Sequence, residues 1–268
     1  VKVSVLDHGY VEVVATMGDD NFLAECARMS TDTVATEEAN QRLVQRLIRD
    51  RHTSPIEFGQ VVVEVAMPIF VMRQWVRHRT GAFNEFSGRY SIFPDTYYVP
   101  TLDRIQYQST FNKQGSADSL PEDEAKHWQQ LIIDRSEGDY RAYTAMVEAG
   151  VTRELARIIL PPNFYTKVRW TINLHNLFHF LKLREDAHAQ WEVQQYANVM
   201  HQICRKYFPA ATKAYEDHIE SAVTVSEETI KDLVDGAVDT LKMLGEYQNI
   251  NQLKPEIRDL IRKYGDVQ

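Results

Sequence analysis

The sequence predicts an α+β protein, an antiparallel sheet packed by long helices, in a single domain with a C-terminal helical extension. Three observations carry this. Residues 1–16 alternate apolar and polar side chains with a break at His8-Gly9, the pattern of one or two strands. Phe164, Val168, Trp170 and Ile172 alternate against Lys167, Arg169 and Thr171, as a half-buried strand does. Leu120 to Ala149 reads as one long helical stretch.

The remaining elements follow in order. From Glu37 to Asp50, Leu43, Val44, Leu47 and Ile48 share one helical face. Ser54-Pro55-Ile56-Glu57 has the form of an N-cap, a proline in the first turn and a Glu returning to the cap, so a short helix is expected there. Val61 to Met67 reads as a strand. Pro68 starts a helix running toward Arg77, with Arg73 and Arg77 on one face and Gln74 and His78 on another. Thr96 to Val99 is expected to be a strand, and residues 101–118 are polar and turn-rich enough for a mobile insertion. The helix from Leu120, with a kink near Gly138, should close at Gly150, and a short one from Thr152 to Leu160 should end at Pro161-Pro162. Asn173 can cap a helix whose Leu174, Leu177, Phe178 and Leu181 face inward, and another spans about Ala187 to Tyr207. The tail from Glu227 to Tyr264 reads as two helices, with Leu233, Val234, Val238 and Leu241 on one stripe.

Composition narrows the function classes. With 268 residues, 44% hydrophobic and 25% charged, the chain can bury one sizeable core. Its formal net charge of −8 argues against a general nucleic-acid or anionic-membrane binder, which needs a basic face. Cys26 and Cys204 stand far apart without a C-x-x-C, so neither a disulfide framework nor a cysteine metal site is indicated, which suits a reducing cytoplasm. No apolar run reaches the length of a membrane span, and the first residues alternate like a strand rather than a signal peptide.

Within this acidic chain, Arg77-His78-Arg79-Thr80-Gly81-Ala82-Phe83-Asn84-Glu85-Phe86-Ser87-Gly88-Arg89-Tyr90 gathers three arginines, a histidine and a Ser-Gly-Arg step. Arginine's planar fork matches phosphate or carboxylate bidentately, and Gly88 lets a backbone N–H approach the same oxygens. A solvated basic loop is the plain alternative. The interleaved Phe83, Phe86 and Tyr90, with Trp75 ahead of them, argue for partial burial and hence for an anion site.

The order R-H-R, seven residues, then S-G-R-Y resembles the signature of the flavin-dependent thymidylate synthases. The likeness extends to His52-Thr53-Ser54-Pro55-Ile56-Glu57 with Pro68 to Trp75, to Arg153 through Pro161, and to Leu183-Arg184-Glu185-Asp186-Ala187-His188-Ala189-Gln190-Trp191-Glu192. These blocks keep the family's order and spacing and cover most of residues 1 to about 225, implying a catalytic domain over 1–225 and an extension over 226–268.

The resemblance implies methylation of dUMP to dTMP with FAD as cofactor, 5,10-methylenetetrahydrofolate as one-carbon donor and NADPH as reductant, in a homotetramer with sites between subunits. Carried over by position, Ser54, Arg77, His78, Arg79, Glu85, Asn173, His175, His179 and His188 fall on or near the flavin. Gln74, Arg77, Glu85, Ser87, Gly88, Arg89, Arg157 and Arg184 fall on the nucleotide, and His52 matches a functional histidine on the flavin and folate side. Arg184 takes the role of activating the uracil ring, and with His52 and Ser87 it forms the catalytic set. The sequence departs from the family's usual residues at His175, where arginine is commoner, and at Phe58, which replaces a histidine.

Several residues have simpler readings. Arg157 can pair with Glu154 on its own helix, and Arg184 with Glu185 or Asp186. His175 and His179 lie four apart but lack the Glu of H-E-x-x-H, Asn176 standing in its place, so no metal is expected. Neither cysteine sits in a nucleophile motif, and Ser87 has no base within the motif, which favours it as a nucleotide ligand over a nucleophile. A non-catalytic nucleotide-binding module built on the Arg77–Arg89 segment is the alternative to the enzyme.

Overall fold

The computed structural model describes residues 1–111, 113–243 and, farther on, 257, 260, 261 and 263. It divides into two compact units, Val1–Glu220 and Ser221–Gln268. Chain order in the first unit begins with β1 (Lys2–Val5), β2 (Gly9–Met17), α1 (Asp20–Arg28), α2 (Glu37–Arg49), β3 (Gln60–Pro68), α3 (Ile69–Trp75) and β4 (Ala82–Glu85). It continues with β5 (Gln106–Gln108), β6 (Ser116–Ser119), α4 (Glu122–Glu148), α5 (Arg153–Ala156), β7 (Tyr165–Asn173), α6 (Leu174–Arg184), α7 (Trp191–Tyr207) and α8 (Pro209–Tyr215).

Among the described residues, five strands form an antiparallel sheet in the order β1-β2-β3-β7-β4. The fold is therefore the α+β class that the alternating segments indicate. Val61, Val63, Val65, Val168, Trp170 and Ile172 turn one face of the central strands into the core, where they meet Leu177, Phe180 and Leu181 of α6 and Tyr196, Met200 and Cys204 of α7. A satellite cluster of Phe93, Tyr143 and Ala156 ties α4 and α5 to the segment after β4.

Local chemistry explains several element ends. Asp19 and Thr36 cap α1 and α2 by accepting from Phe22 N and Ala39 N. Asn173 ends β7 and caps α6, its Oδ1 accepting from Asn176 N at 2.8 Å. Gly150 sits at φ +86 just past α4, as a closing glycine should.

Five expectations change. Ser54–Phe58 is a 3-10 turn preceded by Thr53, without a side-chain cap. Thr96 to Val99 pairs only through a bridge between Tyr97 and Phe164. The 101–118 insertion holds a 3-10 turn, Leu102–Arg104, and the β5–β6 ladder. The helix expected up to Leu160 turns 3-10 at Arg157–Ile159 because Pro161-Pro162 stops it. The helix expected from about Ala187 to Tyr207 begins at Trp191, since residues 185–190 form turns stabilised by Asp186.

In the second unit, α9 (Glu227–Met243) buries Val234 and Val238 while Leu233 stays exposed. The side chain of Leu241 and most of the second tail helix fall outside the described residues. No described helix is long and apolar enough to cross a membrane.

Candidate active site

The signature segment is built around β4, which pairs with the outer edge of β7 from Ala82↔Thr171 to Glu85↔Val168. Two glycines flank it because side chains come too close for a Cβ. At Gly81 a Cβ would lie 2.3 Å from Trp170 Nε1, and at Gly88 it would lie 2.3 Å from Phe93 Cε2. The segment is thus clamped to the core at both ends, with Asn84 and Glu85 between the glycines left on the surface.

Gly88 also lies against Arg157 Cδ, and Arg157 and Phe93 line a cleft of about 610 Å³ together with Arg73, Glu85 and Phe86. Arg157 does not pair with the Glu154 carboxylate. Its Nε donates to the Glu154 carbonyl at 3.3 Å, while that carboxylate takes Arg89 Nη2 at 3.0 Å. Ser87 Oγ accepts from Arg89 N at 3.3 Å, and Thr166 donates to Glu85 Oε1 at 2.7 Å. Glu85, Gly88 and Arg157 are therefore brought together at the cleft, with Ser87 and Arg89 adjoining Gly88 in the chain. Arg73 was read from the sequence only as a neighbour of Arg77; from α3 it lines the same cleft as Arg157.

A second cluster forms where α3 ends against α6. Arg184, the last residue of α6, donates from Nε to His78 Nε2 at 2.9 Å and from Nη2 to the Gln74 carbonyl at 3.2 Å. A guanidinium cannot accept, so His78 Nε2 must carry its lone pair and the ring must be neutral. Burial, then the positive charge of Arg184 and the nearby His179, pull the His78 pKa down to about 4, in agreement. Burial also lowers the Arg184 pKa.

The alternative pairing of Arg184 with its acidic neighbours does not occur. Glu185 turns to His201 Nδ1 at 2.8 Å and Asp186 to His188 Nδ1 at 2.8 Å. Among the described residues Arg184, half-buried, has no carboxylate within 4 Å.

Gln74 extends this cluster through a chain that the sequence did not reveal. Its Nε2 donates to Gln190 Oε1, Gln190 Nε2 donates to Glu192 Oε2 at 2.9 Å, and Glu192 Oε1 accepts from Tyr98 and Arg104. Gln190 and Glu192 stand within the motif block, yet nothing in their spacing names their partners, because Arg104 comes from the insertion.

Of the other expected residues, His179 adjoins the second cluster, and the rest make no side-chain hydrogen bond with either among the described residues. His52 and Ser54 lie on the exposed turn before β3; Asn173 is engaged as the α6 cap; His188 is exposed on its Asp186 turn. His175 is half-buried, and His179 lies with its ring 6.1 Å from His78. Arg77 and Arg79 are exposed and free of carboxylate partners among the described residues.

Comparison with known proteins places the chain in a family. The model of a family described as thymidylate synthase complementing protein matches residues 12–210. A flavin-dependent thymidylate synthase from Thermus thermophilus is 43% identical over 237 residues, covering 87% of this chain and 85% of that one. One from Ruegeria pomeroyi is 41% identical over 234 residues, covering 85% and 78%. Among solved structures, the UMP/dUMP methylase PolB from Streptomyces cacaoi bound with 5-Br dUMP superposes with a TM-score of 0.72 at 28% identity, over 80% of this chain and 97% of that one. Because the family model and relatives more than 40% identical span most of the first unit, the chain belongs to the thymidylate synthase complementing protein family, that of the flavin-dependent thymidylate synthases.

Proposed function

We propose that the protein methylates dUMP to dTMP, using 5,10-methylenetetrahydrofolate as one-carbon donor and NADPH as reductant, with FAD bound and no cysteine nucleophile. The observation that carries this reading is Arg184, half-buried, without a carboxylate, and hydrogen-bonded to a neutral histidine. An uncompensated buried cation is costly unless an anionic or electron-rich ligand completes it. A uracil ring losing its imide proton is such a ligand, and arginine stabilises it without itself losing charge.

The remaining residues divide by chemistry. Ser87, the Gly88 N–H, Arg89 and Arg157 suit the nucleotide phosphate, and Glu85 and Gln74 supply polar contacts to the rest of the nucleotide. Arg77 and Arg79 suit the diphosphate of FAD, with Ser54, His78, Asn173, His175, His179 and His188 on the flavin side and His52 toward flavin and folate. When bound, the flavin supplies hydride and one-carbon chemistry; the protein supplies position and electrostatics. The spread of these residues over the surface of one chain fits sites completed between subunits of a homotetramer.

Cys204 is buried, and burial raises its pKa, which keeps the thiol protonated and inert; Cys26 is also raised. The test is direct. The purified protein should show a flavin absorbance band and form dTMP from dUMP with both co-substrates, and the double Cys26→Ser, Cys204→Ser variant should retain that conversion. Absence of the flavin band and of dTMP overturns the reading; loss of turnover in the double variant with flavin content intact restores a thiol mechanism.

A further inference from the structure

Two acidic residues follow Arg184 directly, and both are held elsewhere. Glu185, whose N–H closes α6 on the Leu181 carbonyl at 2.9 Å, sends its carboxylate to His201 on α7. His201 is 4% exposed and bridges two acids, Nδ1 to Glu185 Oε1 at 2.8 Å and Nε2 to Glu216 Oε1 at 3.1 Å. Glu216, on the π-helical turn Glu216–Glu220 after α8, also takes Arg205 Nε at 2.6 Å. Burial draws the His201 pKa down, but the hydrogen bond and charge of Glu185 outweigh it, so the ring stands above the usual imidazole value. Both of its nitrogens face carboxylates, which a doubly protonated ring satisfies and a neutral one cannot. The second oxygen of Glu185, Oε2, is buried and has no hydrogen-bond partner among the described residues, so this carboxylate depends on His201.

We propose that His201 is a positioning residue for Arg184: by holding Glu185 in a buried ion pair with α7, it keeps the adjacent acid from neutralising the guanidinium, whose charge is then undivided for an electron-rich ring. The proposal rests on the reading that Arg184 meets the uracil. In water an arginine followed by Glu-Asp would share its charge with them, as the sequence suggests. A carboxylate drawn to Arg184 would oppose ionisation of the ring electrostatically, while contacts to the sugar and phosphate would be untouched.

The measurement is a binding ratio. The electron-withdrawing bromine of 5-bromo-dUMP makes its imide more acidic than that of dUMP, so an undivided Arg184 charge favours it. Affinities of both nucleotides for the flavin-loaded protein near pH 8 give the preference in the parent, in His201→Ala, in Glu185→Gln and in the double variant. His201→Ala is expected to lose roughly 5- to 20-fold of the preference, within the range of coupling between contacting residues, and Glu185→Gln to keep it. The double variant should regain it, since no acid is left to restrain. A loss of packing alone would weaken both nucleotides alike and leave the ratio unmoved, which overturns the proposal. Should His201→Ala not fold, His201→Gln keeps the reach and a donor but not the charge, and is expected to lose about threefold; an unchanged ratio there also overturns it. Arg184→Ala separates the two readings: a preference that survives in Arg184→Ala removes the uracil assignment itself, whereas one that vanishes there but persists in the His201 variants removes only the role of His201.

Discussion

On the Ser87–Arg89 side of the site, Arg89 lies in solvent with 54% of its side chain exposed and shares its charge with Glu154, itself 64% exposed. On the Arg184 side the guanidinium is half-buried, its acidic neighbours are tied to histidines, and its acceptors are the neutral His78 ring and a carbonyl. An exposed ion pair is worth little and exchanges readily for a phosphate. A half-buried cation without a counter-ion costs stability until a ligand arrives, so its free energy is realised on binding or in the transition state. On the function proposed above, the contrast separates a region for anchoring from one for chemistry.

The largest break in that comparison should come from Arg184. Arg184→Ala is expected to slow single-turnover oxidation of reduced flavin by dUMP and methylenetetrahydrofolate by roughly 10²–10³-fold, the usual cost of removing a preorganised electrostatic group. Affinity for dUMP should fall much less, because the interaction strengthens as the ring becomes anionic. Lysine should substitute poorly, lacking the planar fork. Equal losses in rate and affinity would make Arg184 an anchor and erase the distinction.

His78 gives the same region a pH signature. Its pKa falls from 6.5 to about 4 on folding, so between those values the unfolded chain binds a proton that the folded chain does not. Stability from this group is complete above pH 6.5 and is lost as pH falls toward 4, by about 2–3 kcal/mol at pH 4.5. Urea unfolding at pH 7.5 and 4.5 should show this acid loss in the parent and a smaller one in His78→Gln. Equal acid losses would mean that His78 is already charged in the folded protein.

On the exposed side, Arg89→Ala should weaken dUMP binding by roughly 1.5–3 kcal/mol per charged hydrogen bond removed, with little change in saturated turnover. Calorimetric titration decides this, and an unchanged affinity would remove Arg89 from the phosphate.

These predictions draw on features of unequal legibility in the sequence. β7 and α6 could be read because alternation and the Asn173 cap are local signals. β4 could not: Ala82 to Glu85 is four residues among charges, and its pairing comes from β7, far along the chain. α8 was invisible for a related reason, since its first N–H groups, from Ala210 and Ala211, are capped by Asp20 at 2.7 and 3.0 Å from the other end of the domain. Near the motif blocks that carry Arg184, Ser87 and Arg157, local spacing offered ion pairs that the fold does not form. Arg157–Glu154 and Arg184–Glu185 both give way to partners supplied by the tertiary fold, Arg89 and His201. Charge pairing at short spacing is a weak guide wherever a core histidine or a ligand competes for the same carboxylate.

The smallest effect should be the most specific. If the phosphate displaces Glu154 from Arg89, removing that carboxylate's charge takes away a competitor, so Glu154→Gln should tighten dUMP binding rather than weaken it. The gain is bounded by the worth of an exposed ion pair, about 0.2–1 kcal/mol, or up to roughly fivefold in affinity. It should shrink as salt is raised, because screening already weakens the exposed pair, and thermal stability should hardly change. A titration series at low and high ionic strength measures both. Weaker binding in Glu154→Gln would mean that Glu154 orients Arg89 instead of competing for it, and this side of the site would then be preorganised in the way proposed for Arg184.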